Sequence, residues 1–249
     1  MIVYAHRGYS GAYPENTMLA FRKAGELETD GIELDVHLSR DGIPVVHHDE
    51  RVDRTTDGCG RICDQSYAEL RKLNAANLWS DRYAPEKIPA FEEYCEWAAA
   101  QKLVTNIEIK TDNTWYPDIE RKTWDLIVRY GLEDRVLFSS FNHISMVRMK
   151  QIVPDSVKLG ALVEHESGVK VFPGAYCRAA GFQCYHPPVA ALTEEAVRDC
   201  KDHGIGINVW TVNDMAGLEK LYAWDVDGII TNYPDIPLGW LKTKERTRI

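Results

Sequence analysis

The sequence predicts an α/β fold, a (β/α)8 TIM barrel with a small insertion after the second strand, built as a single domain over residues 1–249. Three observations carry that prediction. Short apolar runs alternate with segments of helical periodicity, the pattern of a parallel sheet joined by crossover helices. Taken in order, with one hairpin return set aside, the runs number eight, which is what closure of such a barrel requires. Acids, bases and histidines collect where the strands end, the face on which barrels of this kind build their sites.

Each element follows from a local pattern. Residues 2–5 read as the first strand, and 16–28 as a helix with Leu19, Ala20 and Ala24 on its apolar side. Residues 31–38 are strand again, and Asp41-Gly42 turns the chain into a hairpin return through Val45, Val46, His47 and His48. Residues 51–87 break the alternation: long, polar and dotted with glycine, they read as an insertion over one end of the barrel, with a short helix at 67–73. The alternation then resumes with a helix at 91–102, a strand at 106–110 and a helix at 117–130 that starts on a proline. A strand at 136–141, a helix at 143–152 and a strand at 158–163 follow. Residues 166–181 are weakly periodic; 184–186 form a short strand, 193–203 a helix opened by Thr193-Glu194-Glu195, and 206–212 a strand. A helix at 215–224 and a strand at 228–231 complete the set, and 242–249 read as a fraying helix end.

Bulk composition excludes several functions. Lys and Arg total 29 against 38 Asp and Glu, a net charge of −9, which argues against nucleic acid as a partner because backbone binding needs a basic footprint. No apolar run approaches the length of a membrane-spanning helix, so no stable membrane insertion is expected. The N-terminus has neither a basic segment nor a cleavage-type site, and a cytoplasmic location is expected. The six cysteines match no zinc spacing, and free thiols are expected, with Cys59 and Cys63 the pair that stands closest in a turn.

Side chains on a strand alternate faces, so Glu33 and Asp35 point one way, as do Glu108 and Lys110. Carboxylates facing inward from buried strands are costly unless a cation neutralises them. His6 and Arg7 end the first strand, Glu33 and Asp35 lie late in the second, and Glu108 and Lys110 end the third, so all six converge on one mouth. The hairpin return brings His48 over it. Glu33, Asp35 and Glu108 offer hard oxygen ligands suited to a divalent cation, Mg2+ or Ca2+ with Mn2+ also possible. Arg7 presents a planar fork and Lys110 a point charge to a phosphate. His6 and His48 can move protons near neutral pH, one toward the leaving alkoxide and one away from the attacking hydroxyl.

The residues that carry this chemistry also carry a resemblance. His6-Arg7-Gly8, Pro14-Glu15-Asn16-Thr17, Glu33-Leu34-Asp35-Val36, Asp41-Gly42, Pro44-Val45-Val46, His48-Asp49 and Glu108-Ile109-Lys110 are similar to motifs of the glycerophosphodiester phosphodiesterase family. Ser140-Phe141-Asn142-His143, Trp210-Thr211-Val212-Asn213 and Asp227-Gly228-Ile229-Ile230-Thr231 continue it over nearly the whole chain. The resemblance implies metal-dependent hydrolysis of a small-molecule glycerophosphodiester to glycerol 3-phosphate and an alcohol. It implies His6 and His48 as the catalytic pair, Glu33, Asp35 and Glu108 as metal ligands, and Arg7 and Lys110 as phosphate contacts. It also implies attack by the substrate's own glycerol hydroxyl through a cyclic phosphate, and places Trp210 on the pocket wall. The chain departs from the family at His47, where many relatives have an apolar residue, and at Asn232, where many have Asp.

Other readings remain open at this level. Taken alone, Glu33 and Asp35 fit a structural ion-pair network as well as a metal site. Glu15 can belong to the start of the first helix or reach the phosphate-site cations. His143 reads as structural beside a capping Asn142, and His37, His165 and His203 as surface or cap residues. The same site could serve a lysophospholipase D acting on lysophospholipids, or a non-catalytic barrel that binds phosphate compounds.

Overall fold

The computed structural model describes residues 1–164 and 171–246. Among these, eight parallel strands close into a barrel: β1 (Ile2–His6), β2 (Gly31–Leu38), β4 (Val104–Ile109), β5 (Val136–Ser140), β6 (Lys158–Leu162), β7 (Cys184–His186), β8 (Gly206–Val209) and β9 (Gly228–Thr231). Closure comes from β1, which pairs in parallel with both β9 and β2. The hairpin return is β3 (Pro44–Val46), antiparallel to the far end of β2. The eightfold alternation expected from the sequence is therefore the fold.

Helices α1 (Met18–Glu26), α3 (Phe91–Ala99), α4 (Ile119–Arg129), α5 (His143–Met149), α6 (Pro173–Ala180), α7 (Glu194–Asp202) and α8 (Met215–Ala223) lie between the strands, and α9 (Asp235–Arg246) follows the last. Their starts are chemically marked. Thr17, Asn142, Thr193 and Asp214 each accept a backbone N–H of the first turn, which satisfies a donor that the helix itself cannot. Helix α6 occupies part of the stretch that lacks periodicity; Pro173 opens it, and Gly181, at φ 77°, ends it. His165 and the start of that stretch lie outside the described residues.

Apolar side chains divide by face. Ile32, Leu34 and Val36 of β2 point outward into the layer shared with the helices, alongside Phe21, Phe91, Ile107 and Phe138. Inside the barrel, Tyr4, Leu137 and Ile230 form an apolar layer, with Trp210 packed against it. Glu33 and Asp35 take the inward positions between the outward apolar residues of β2. Residues 51–87 have their own small core, in which Val52, Ile62, Leu70 and Ala75 pack with Val45 and Ile88. This insertion, which contains the short helix α2 (Tyr67–Leu70), is tied to the first strand–helix loop by the Tyr83 hydroxyl, which donates to the Ala12 carbonyl at 2.7 Å.

Candidate active site

Register fixes the site. His6 of β1 stands opposite Glu33 of β2, and Asp35 of β2 stands opposite Glu108 of β4. The carboxylates of Glu33, Asp35 and Glu108 are all buried, and one oxygen from each lies within 4.8 Å of the others. A cavity of about 460 Å³ opens above them, lined by His6, Arg7, Glu33, His48, Glu108, Lys110 and Trp210 among others. Asp35 sits beneath the lining and completes the acid cluster. The structure thus brings together all eight residues singled out in the sequence.

The electrostatics of the acids are unbalanced. Burial, with repulsion from Asp35 and Glu108, pushes the Glu33 carboxyl well above the usual carboxylate range, although Arg7 opposes it. Burial raises Glu108 to about 7 even with the Lys110 ammonium 2.6 Å from its Oε1. Asp35 behaves oppositely: burial works against its charge, but His48, Lys110, Arg7 and the Asn16 amide hold it below the usual range. One Asp35 oxygen, Oδ1, is buried without a hydrogen-bond partner. Clustered carboxylates that cannot all stay ionised, an orphaned oxygen and an all-oxygen donor set fit a hard divalent cation. Glu33, Asp35 and Glu108 are the residues that could hold it.

Arg7 reaches the cavity through a strained turn. It sits at φ 55°, a region sparsely used by residues with a side chain, at a cost of about 1–3 kcal/mol. That conformation lets its N–H donate to Glu33 Oε2 at 3.0 Å while its guanidinium donates to Glu15 Oε1 at 2.9 Å. Gly8 follows at φ 77°, where a Cβ would lie 2.7 Å from the Ala20 carbonyl carbon, so helix α1 packs here only against glycine. Of its two open readings, the Glu15 side chain takes the contact with the Arg7 cation, while Thr17 caps the start of helix α1. Asn16, at φ 54°, donates its amide to Asp35 Oδ2 at 2.8 Å.

The two histidines are held differently. His6 Nδ1 lies 2.6 Å from Asn232 Oδ1, which fixes the proton on Nδ1 and leaves Nε2 free to accept. Burial and the adjacent Arg7 hold the His6 ring down to about 3, against the opposing pull of Asn232, so the ring is neutral. His48 Nδ1 instead meets a carboxylate, Asp49 Oδ1, at 2.6 Å. On the opposite wall Trp210 donates its indole N–H to the His186 carbonyl at 2.9 Å and meets Phe141 edge to face, with ring centroids 5.6 Å apart.

His37 corrects the sequence reading. Expected at the surface or in a cap, it is fully buried, with Nε2 donating to the His48 carbonyl and Nδ1 accepting from the Tyr116 hydroxyl, both at 3.0 Å. It occupies the same face of β2 as Glu33 and Asp35, the period-two signal that could have found it. His203 caps α7, as expected. His143 is structural, bonded to the Tyr176 hydroxyl and the Leu162 carbonyl. All six cysteines are free, including Cys59 and Cys63. No described helix is long and apolar enough to cross a membrane.

Hard oxygen donors beside a guanidinium and an ammonium, at the mouth of a (β/α)8 barrel, mark an enzyme of phosphate-ester chemistry. Its relatives narrow that class. The profile of the glycerophosphoryl diester phosphodiesterase family matches residues 6–236, and the chain belongs to that family. A glycerophosphodiester phosphodiesterase of Caldanaerobacter subterraneus subsp. tengcongensis is 41% identical over 234 residues, 94% of this chain and 95% of that protein. One from Bacillus altitudinis is 36% identical over 239 residues, 94% of this chain and 95% of that one. Among solved structures, an Oleispira antarctica phosphodiesterase in complex with the product sn-glycerol-3-phosphate matches with a TM-score of 0.84 at 29% identity, over 97% of each chain.

Proposed function

We propose that this chain hydrolyses glycerophosphodiesters to glycerol 3-phosphate and an alcohol, using a divalent cation held by Glu33, Asp35 and Glu108, with His6 as base and His48 as acid. The observation that carries the reading is the convergence of acids, cations and histidines on one cavity. The substrate's phosphate sits between the Arg7 guanidinium and the Lys110 ammonium, which orient it and offset its charge. When bound, the cation adds Lewis-acid neutralisation of the charge that grows on the phosphate oxygens. Trp210 and Phe141 supply an apolar wall for the organic part of the substrate.

The division of labour follows from the partners of the two rings. His6, neutral and oriented by an amide, presents the Nε2 lone pair to a hydroxyl. As that oxygen bonds phosphorus, its proton passes to Nε2. The bond from phosphorus to the alcohol oxygen breaks, and this oxygen takes a proton from Nε2 of His48, whose other nitrogen faces the Asp49 carboxylate. Where a hydroxyl of the substrate's glycerol attacks, a cyclic phosphate results. Water then opens it with the roles exchanged, His48 taking a proton and His6 returning one. Residues 1–249 act as one catalytic domain, since the insertion folds back onto the loops around the site. Six free thiols fit a cytoplasmic setting.

The test is release of glycerol 3-phosphate from glycerophosphocholine with Mg2+, Ca2+ or Mn2+. No release with any of the three overturns the reading. One observation favours a second substrate class: Trp115, Ile144, Val171 and Phe172 are exposed apolar residues on segments that follow β4, β5 and β6, the end of the barrel that bears the site. They suit the acyl chain of a lysophospholipid, and lysophosphatidylcholine belongs in the same assay.

A further inference from the structure

Arg54 belongs to the insertion and is outside the cavity lining, yet it touches both arms of the site. Its Nε donates to Asp49 Oδ2 at 2.6 Å and its Nη2 to Asp49 Oδ1 at 3.1 Å. The same guanidinium donates from Nη1 to Glu15 Oε2 at 2.9 Å and from Nη2 to Glu15 Oε1 at 2.7 Å. Glu15 Oε1 in turn holds Arg7, and Asp49 Oδ1 holds His48. A single planar group thus closes an unbroken chain from Arg7 through Glu15, Arg54 and Asp49 to His48. It joins the end of β1 to the hairpin that follows β2.

Two features make Arg54 a fixed point. Val52 and Thr55 on either side of it are buried, and the Thr55 hydroxyl lies 3.1 Å from His47 Nε2. Four donor contacts to two carboxylates also need the rigid fork of a guanidinium; one ammonium cannot span both. Its contribution to stability is small by comparison. The Arg54 side chain is 42% exposed, and ion pairs in that setting contribute little.

We propose that Arg54 is a positioning residue for the reaction, through which the insertion sets His48 and Arg7 relative to each other. The proposal rests on the reading of those two residues as proton donor and phosphate contact. Arg54→Ala should lower kcat/KM on glycerophosphocholine by about 10- to 100-fold, the usual effect of losing a group that orients a reacting one, with little change in Tm. Guanidinium ion at tens of millimolar should restore part of that activity, and Arg54→Lys should not recover it. By proton NMR, the downfield His48 Nδ1–H resonance should shift or broaden in Arg54→Ala, a readout that needs no turnover. If the wild type releases no glycerol 3-phosphate, the functional reading fails, and the resonance still decides the positioning. Activity within about twofold of wild type, or an unchanged resonance, overturns the proposal. So does a loss that tracks a fall in Tm and is untouched by guanidinium.

Discussion

Asp35 and Glu108 are register partners on adjacent parallel strands, both buried, and the Lys110 ammonium lies 3.8 Å from Asp35 Oδ1 and 2.6 Å from Glu108 Oε1. A pair of carboxylates so placed repels itself in a medium of low dielectric, and Glu33 adds a third charge. The cluster is tolerable when a cation shares it. The barrel therefore has a destabilising feature in its core that a bound cation would relieve.

That relief is measurable without turnover. Titrating Mg2+, Mn2+ or Ca2+ into metal-stripped protein should raise Tm, since an ion that binds only the folded state stabilises it by about 2.7 kcal/mol at a hundredfold excess over Kd. Asp35→Asn should lose most of the rise, and chelation should abolish activity reversibly. A Tm indifferent to all three cations, measured by calorimetry, would rule out the carboxylate cradle as a metal site.

The acid and base assignments separate by leaving group. His6→Ala and His48→Ala should each lower kcat by about 10²- to 10⁴-fold with the fold retained. A substrate whose leaving group is p-nitrophenolate needs no proton on departure, so His48→Ala should recover much of its rate on it. His6→Ala should not. Equal recovery by both variants, in steady-state kinetics, would reverse or erase the assignment.

The sequence made the barrel legible through its apolar runs, and the candidate acids Glu33, Asp35 and Glu108 through period-two spacing on strands, whereas Trp210 was marked by the family resemblance alone. What it concealed lies in partners distant along the chain. Asn232 meets His6 from the other end of the chain, and Arg54 meets Glu15 across the insertion. Neither carries a pattern before the barrel closes. His37 had the right spacing but sits beyond the acids, at the end of β2, where its role depends on Tyr116 from another loop. Helix α6 was obscured because so short an element, Pro173–Ala180, hardly repeats.

Buried neutral histidines set an acid limit on stability. His186 is fully buried between strands, and burial holds it down to about 3. In the unfolded chain the same ring takes a proton near pH 6.5, so between about 6.5 and 3 the unfolded state binds one proton more. Stability is lost as the pH falls through that window, by about 1.4 kcal/mol per unit for this residue. Denaturant unfolding of wild type and His186→Gln from pH 7 to 4.5 should give a flatter dependence for the variant. Parallel curves would mean that His186 is protonated in the folded protein.

The rim of the mouth decides between the two substrate classes. Trp115 and Phe172 are 67% and 66% exposed, which leaves apolar surface in water, with Arg148 lying over the Trp115 ring. If that surface receives an acyl chain, Trp115→Ser with Phe172→Ser should raise KM for lysophosphatidylcholine by about tenfold, the equivalent of 1.4 kcal/mol of lost apolar contact. Glycerophosphocholine, which has no chain to bury, should be hydrolysed unchanged, because neither residue lines the cavity that holds its phosphate. Trp210→Ala should instead raise KM for both, since the inner wall faces the part they share. Equal effects of the rim variant on both substrates would exclude the rim as a chain-binding surface and leave the water-soluble diester as the substrate.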